Sequence, residues 1–158
     1  MVATMKNQIK TGYKQTEVGV IPEDWEVKTI QTLIDEKIII GHLDGNHGEL
    51  YPRSHEFKEV GVPYIGANDF VNGKISFSKC KFLSKERAEL FKKGISKNGD
   101  ILFAHNATVG PVAFLKTNLD YVILSTTATY FRCATDKLNN RFLVYGLQTP
   151  SFVNQYTA

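Results

Sequence analysis

Several things are scarce in this 158-residue sequence, and each scarcity removes a class of answer. No apolar run is long enough to cross a bilayer: the most apolar segments, such as Tyr121-Val122-Ile123-Leu124, fall far short of the roughly 20 residues a spanning helix needs. Residues 1–10 hold two lysines but no apolar segment, so they do not read as a signal peptide, and the expected location is the cytoplasm. Cysteine is limited to Cys80 and Cys133, far apart, which fits two buried thiols in a reducing compartment better than a disulfide scaffold. None of the five prolines adjoins another, so the Asn/Asp-Pro-Pro-aromatic segment of an amino-methyltransferase is missing.

Cofactor cradles are missing as well. Gly94 and Gly99 have the spacing of a phosphate loop, but Asp100-Ile101 follow where Lys and Ser/Thr are required, and the aspartate would repel the phosphate. Gly41, Gly45 and Gly48 do not make the dinucleotide spacing. Glu26-Val27-Lys28 has the Glu-x-Lys form of a metal-dependent nuclease without the preceding aspartate that would complete it. His42, His47 and His55 are close in sequence, yet neither cysteine has a zinc-ligand spacing. A hydrolase trio of His42, Asp44 and Ser125 lacks the strained Gly-x-Ser-x-Gly elbow. No cofactor and no metal are therefore expected.

What is present is an ordinary globular composition, 42% hydrophobic and 22% charged, in a length that suits one domain. The net charge is +3 and the pI about 8.8, mildly basic and compatible with a polyanion. The charge is unevenly spread. Residues 71–100 carry eight basic residues (Lys74, Lys79, Lys81, Lys85, Arg87, Lys92, Lys93, Lys97) against three acidic ones, a surplus of +5 that exceeds that of the whole chain. This run reads equally as a solvated helix-and-turn surface or as a phosphate-contacting face.

Along the chain, residues 1–16 are polar and without period, and are expected to form a flexible arm before a single domain over 17–158. Ile30, Leu33 and Ile34 recur at helical spacing and predict a short helix ending near Glu36. Ile38-Ile39-Ile40 reads as a buried strand, and the glycine-punctuated stretch 41–48 as a loop. Val62-Pro63-Tyr64-Ile65 is a second strand, with Pro63 pointing to a strand start or an edge. Asn72-Gly73 predicts a tight hairpin. Ser84 opens the clearest helix, running to a stop at Gly94 with Ala88 and Phe91 on one face. Strands are predicted over 101–104, 109–115, 121–124 and 127–133, then a helix over 140–147 and a last turn from Thr149-Pro150 to Tyr156. The expected fold class is α+β: a mixed, mostly antiparallel, short-stranded sheet with a few flanking helices.

Groups able to hydrogen-bond base edges gather in particular loops. His42, Asp44, Asn46, His47, Tyr51 and Arg53 form the first set; Asn46 is able to pair bidentately with adenine, and His47 and Arg53 to reach guanine acceptors or phosphate. His105, Asn106 and Thr108 form a second set between two apolar strands, and Thr126 a third. Asn68, Lys74, Lys79 and Lys81 complete the candidate DNA-binding residues. Ordinary glycine-rich surface loops are the competing reading of the same residues.

Several stretches resemble the type I restriction-modification specificity-subunit family, in its N-terminal target-recognition domain. They are residues 13–27, centred on Gly19-Val20-Ile21-Pro22-Glu23-Asp24-Trp25; Asp44-Gly45-Asn46-His47-Gly48 with Tyr51-Pro52; Gly61-Val62-Pro63-Tyr64-Ile65; Gly99-Asp100-Ile101-Leu102-Phe103; and Val109-Gly110. The resemblance runs from about Tyr13 to Tyr156. It implies a non-catalytic module of target-recognition-domain type that reads one half of a bipartite site in double-stranded DNA, mainly through the major groove. It also implies assembly with a modification (methyltransferase) subunit and, through it, a restriction subunit, with no membrane involved. A full specificity subunit carries two such domains spaced by long helices. This sequence matches one, so a second specificity half-chain is a further expected partner. Two other readings stay open: a truncated specificity chain serving as a protein-interaction module, and a small metal-dependent hydrolase or nuclease built on the histidine loop.

Overall fold

The computed structural model describes residues 8–106 and 108–158. In chain order the strands are Tyr13–Thr16 (β1), Gly19–Pro22 (β2), Ile39–Asp44 (β3), Phe57–Lys58 (β4), Val62–Ile65 (β5), Phe70–Val71 (β6), Lys74–Ile75 (β7), Lys81–Leu83 (β8), Ile95–Ser96 (β9), Ile101–Ala104 (β10), Val112–Phe114 (β11), Val122–Leu124 (β12) and Ala128–Cys133 (β13). The helices are Ile30–Asp35 (α1), Lys85–Ala88 (α2), Asn140–Gly146 (α3) and Pro150–Thr157 (α4). One sheet has the order β3-β13-β10-β11-β7-β6 and another β4-β8-β5-β12-β9, while β1 and β2 form a separate hairpin. All pairings are antiparallel except β7 with β11 and β5 with β12, so the class is mixed α+β and mostly antiparallel, as expected.

Side-chain alternation along the strands makes the layers. On β10, Leu102 enters a core with Ala113, Tyr130, Ile65, Val122 and Leu124, which fills the space between the two larger sheets. Its neighbours Ile101 and Phe103 face the other way, into a cluster with Ile39, Cys133, Leu143 and Leu147 that α1, α3 and α4 cover. On the far side, Tyr64 and Ile123 leave the five-stranded sheet outward to meet Leu83, Ala88 and Phe91. Cys80 and Cys133 are both free and buried.

Several elements differ from their sequence expectation. Tyr13–Thr16, expected in the arm, pairs residue for residue with Gly19–Pro22, and the hairpin is closed by Thr16 Oγ1 donating to Gly19 O at 2.7 Å. No strand residue of the hairpin is buried, so no buried alternation marked it; residues 1–7 of that arm lie outside the described residues. The strand expected at 38–40 runs on to Asp44, because residues 41–44 pair with β13 despite the glycine. Helix α2 begins as expected, Ser84 Oγ accepting from Arg87 N at 3.2 Å, but stops at Ala88. Beyond it Phe91 packs on His47, with ring centroids 4.2 Å apart. Pro63 lies in β5, a central strand and not an edge; the parallel ladder to β12 starts only at Tyr64, so the missing N–H falls just before it. The Asn72-Gly73 hairpin is as predicted, with φ of 50° and 75°.

Candidate nucleic-acid interface

The strands β3, β5, β10 and β12 all end on one side of the molecule. Asp44 lies opposite Thr129, Ala104 opposite Ala128, and Ile65 beside Leu124. The segments that follow them, 45–48, 66–69, 105–110 and 125–127, are tied together by backbone N–H groups that donate to carbonyls and to one side-chain hydroxyl. Ser125 N donates to Ile65 O at 2.7 Å, His105 N to Thr127 O at 3.0 Å, Gly45 N to Ala128 O at 3.2 Å, and Ala67 N to Thr127 Oγ1 at 2.9 Å. Glycine permits the closest of these approaches. A Cβ on Gly45 would stand 2.1 Å from Leu124 O. Gly45 thus packs its backbone against the protein's own β12 end.

This platform presents a set of polar side chains. Asp44 Oδ1 accepts from Asn46 N at 3.1 Å and lies 3.5 Å from Lys93 Nζ. The Asn46 backbone N–H, and then the Lys93 charge, hold the Asp44 carboxyl below its usual value, against the opposing effect of burial. Asn46 is exposed; its Oδ1 accepts from Gly48 N at 3.3 Å, and its amide donors point to no protein acceptor among the described residues. Asn106 is exposed at φ 71° and donates through Nδ2 to Thr126 O at 2.6 Å, which leaves its Oδ1 outward-facing as an acceptor. His105 Nε2 sits 2.9 Å from Thr129 Oγ1. Asn68 is exposed in the turn Ala67–Asp69, and Lys79 and Lys81 are exposed where β8 begins beside it. Thr108 is exposed; its neighbour Ala107 lies outside the described residues.

The structure divides the sequence candidates. Asp44, Asn46, Asn68, Lys79, Lys81, His105, Asn106, Thr108 and Thr126 belong to this end of the sheets. His47 does not: it is 8% exposed, its Nε2 is 2.7 Å from Leu124 O, and burial lowers its pKa. Its ring is an internal prop and not a base-contacting group. Tyr51 and Arg53 are exposed but follow the segment that crosses the outer face of the five-stranded sheet, where Arg87 Nη2 donates to Leu50 O at 2.6 Å and Arg87 pairs with Glu56. Lys74 is level with Phe114 and Ile101, the opposite end of the six-stranded sheet from residues 105–110. His42 is exposed on edge strand β3 opposite Phe131, short of the platform. Lys93, named above only as part of the basic run 71–100, also comes to this end of the sheets through its pairing with Asp44.

Catalytic arrangements do not assemble from these residues. Ser125 Oγ is 2.8 Å from Thr127 Oγ1 and accepts from Thr127 N, so it serves the local turn. Among the described residues no group of three or more His, Cys, Asp or Glu is placed to hold a metal ion. None of the helices among those residues is long and apolar enough to cross a membrane.

Comparison with known proteins decides the family. Residues 22–155 match the family model described as "Type I restriction modification DNA specificity domain". The chain belongs to this family. It is a specificity module; in type I systems the catalytic activities reside on other subunits. Similar relatives include the type I restriction enzyme MjaVIII specificity subunit of Methanocaldococcus jannaschii, 28% identical over 144 residues, covering 89% of this chain and 32% of that protein. The putative MjaX specificity subunit of the same organism is 24% identical over 151 residues, covering 94% of this chain and 33% of its own length. The specificity-domain chain therefore spans about a third of the curated relatives it matches. Among solved structures, a chain from work on complex assembly and conformational transition of the type I R-M system superposes with a TM-score of 0.53 at 19% identity, over 68% of this chain and 25% of that one. That likeness concerns the fold.

Proposed function

We propose that this specificity domain reads a short run of bases in double-stranded DNA, one half of a bipartite target, with the platform at the shared end of its two larger sheets. The observation that carries this reading is the convergence there of Asn46, Asn68 and Asn106, flanked by Lys79, Lys81 and Lys93. Exposed amides discriminate bases, adenine above all, while lysines neutralise phosphates without regard to sequence. The module acts in the cytoplasm, with its methyltransferase and nuclease partners supplied as separate modification and restriction subunits. The other half of the bipartite site falls to a second target-recognition domain. Trp25 and Phe142, 48% and 52% exposed and packed edge to face at 5.6 Å, favour a protein contact on the helical side.

Selection from randomised duplexes, with and without a modification subunit, tests the reading. A preferred short sequence is expected. Asn46→Ala or Asn106→Ala lowers affinity for it by about 1–3 kcal/mol and leaves other duplexes nearly unaffected, whereas Lys79→Gln weakens all duplexes alike. Equal affinity for every duplex overturns sequence reading. Co-purification with the modification subunit in the absence of any DNA shift would instead favour a pure interaction module.

A further inference from the structure

A cleft of about 640 Å³ opens between the β6–β7 hairpin and α3, away from the platform. Lys74, Lys116 and Arg141 line it together with Phe114, Tyr145 and Gln148, and no carboxylate lies on its wall. Arg141 and Tyr145 are one helical turn apart on α3, with Gln148 just beyond it, so one face of this segment supplies all three. None of the three cations is in an ion pair among the described residues. Like charges gathered without a counter-charge repel one another, and a bound anion relieves that repulsion. The Arg141 guanidinium is stacked over the Phe114 ring, its carbon 4.6 Å from the centroid. Its side-chain N–H groups make no hydrogen bond to the protein among the described residues, so the fork is available to grip an oxyanion with two parallel bonds. Tyr145, 72% exposed at the rim, offers a flat apolar face that the cations alone would not need.

We infer that this cleft is a binding site for a phosphate-bearing nucleotide unit, its phosphate held by Lys74, Lys116 and Arg141 and its base laid against Tyr145. The volume lies within the range of small-ligand sites, about 300–1,000 Å³. The nucleotide unit has two possible sources, a free nucleotide or the backbone of a nucleic acid that extends past the platform.

The full chain, titrated with deoxyadenosine 5′-monophosphate, with deoxyadenosine, and with a duplex oligonucleotide, separates these outcomes. The readouts are the NMR signal of the Arg141 side-chain N–H and the fluorescence of Trp25, the sole tryptophan, which packs on Phe142 beside Arg141. A saturable Arg141 shift with the monophosphate but not the nucleoside supports a free-nucleotide site. A shift with the duplex alone supports the backbone source. In either case Lys116→Gln with Arg141→Gln, followed by Trp25 fluorescence, weakens binding about tenfold or more, since charge-assisted bonds are lost. Both side chains are exposed, and an unchanged Tm shows that the fold survives. No saturable shift with any phosphate-bearing probe, or unchanged binding by the double variant, overturns the proposal. The Lys116/Arg141 double variant keeps the base preference of the platform in the randomised-duplex selection, and Asn46→Ala keeps the monophosphate titration, so failure of this site and failure of the sequence-reading platform are distinguishable.

Discussion

Asn46 and His47 are adjacent, both polar, and turned in opposite directions. Asn46 faces out from a turn made by Asp44; His47 is sealed beneath it against Phe91 and Tyr64, with the Leu124 carbonyl 2.7 Å from its Nε2. Replacing His47 by Ala leaves a cavity and an orphaned carbonyl, and is expected to cost about 2–4 kcal/mol in urea unfolding. Burial lowers the His47 pKa in the folded state, whereas the unfolded chain keeps the ordinary value of 6.5. Below 6.5 the unfolded state takes up the proton first. The contribution of this residue is therefore fully present above 6.5 and is lost as pH falls toward the folded value. Tm measured from pH 8 down to about 5 should show a loss that a His47→Phe variant lacks; identical profiles for the two proteins would remove this role. Nothing in the local sequence separated the fates of Asn46 and His47, because the partners of His47 come from residues 64, 91 and 124.

Elements were legible where a local signal suffices. The Asn72-Gly73 hairpin, the Ser84 cap, and the strands β5, β10, β12 and β13 lie at or within a residue of where side-chain type and turn chemistry predict them. Their extents were less legible, as β3 and α2 show, since strand length depends on a partner and helix length on what the next side chain packs against. Asp100 illustrates how a recurrent-looking motif gains a reason. It is 1% exposed and accepts from Ser96 Oγ, Lys97 N, and both Nε and Nη2 of Arg132, each at 2.8 Å. The carboxylate thereby pins β9 of one sheet to β10 and β13 of the other. Arg132→Met should destabilise by about 3–5 kcal/mol, because it leaves a buried charge without its counter-ion. A urea midpoint within experimental error of the parent protein would argue that Asp100 is satisfied by Ser96 and the backbone alone.

On the scale of the whole molecule, the charge surplus of residues 71–100 turns out to be distributed. Lys79, Lys81 and Lys93 flank the platform, Lys74 belongs to the cleft at the other end, and Arg87 is committed to Glu56 and Leu50. Duplex affinity should fall steeply with salt, log affinity against log salt being linear with a slope of roughly −0.9 per phosphate neutralised. Lys93→Gln should flatten that slope by about one unit, and Lys85→Gln on α2 by none. A slope insensitive to Lys93 would exclude it from the interface.

Side-chain type, turn residues and strand periodicity by themselves determined the α+β class and the absence of nucleotide-loop and methyltransferase motifs, while the family likeness came from resembling stretches such as residues 13–27 and 99–103. These are local properties, written in side-chain type and spacing. The tertiary structure alone decided which polar residues share a surface. Four segments far apart in sequence meet because their strands end in register on one side of two stacked sheets; glycine at 45 lets two backbones touch, and glycine at 66 makes room for the Ser125 and Thr127 hydroxyls. The same packing turned His47 inward and carried Lys74 to the opposite end of its sheet. A residue's spacing fixes the face of its own element, and the neighbours of that face come from the rest of the chain.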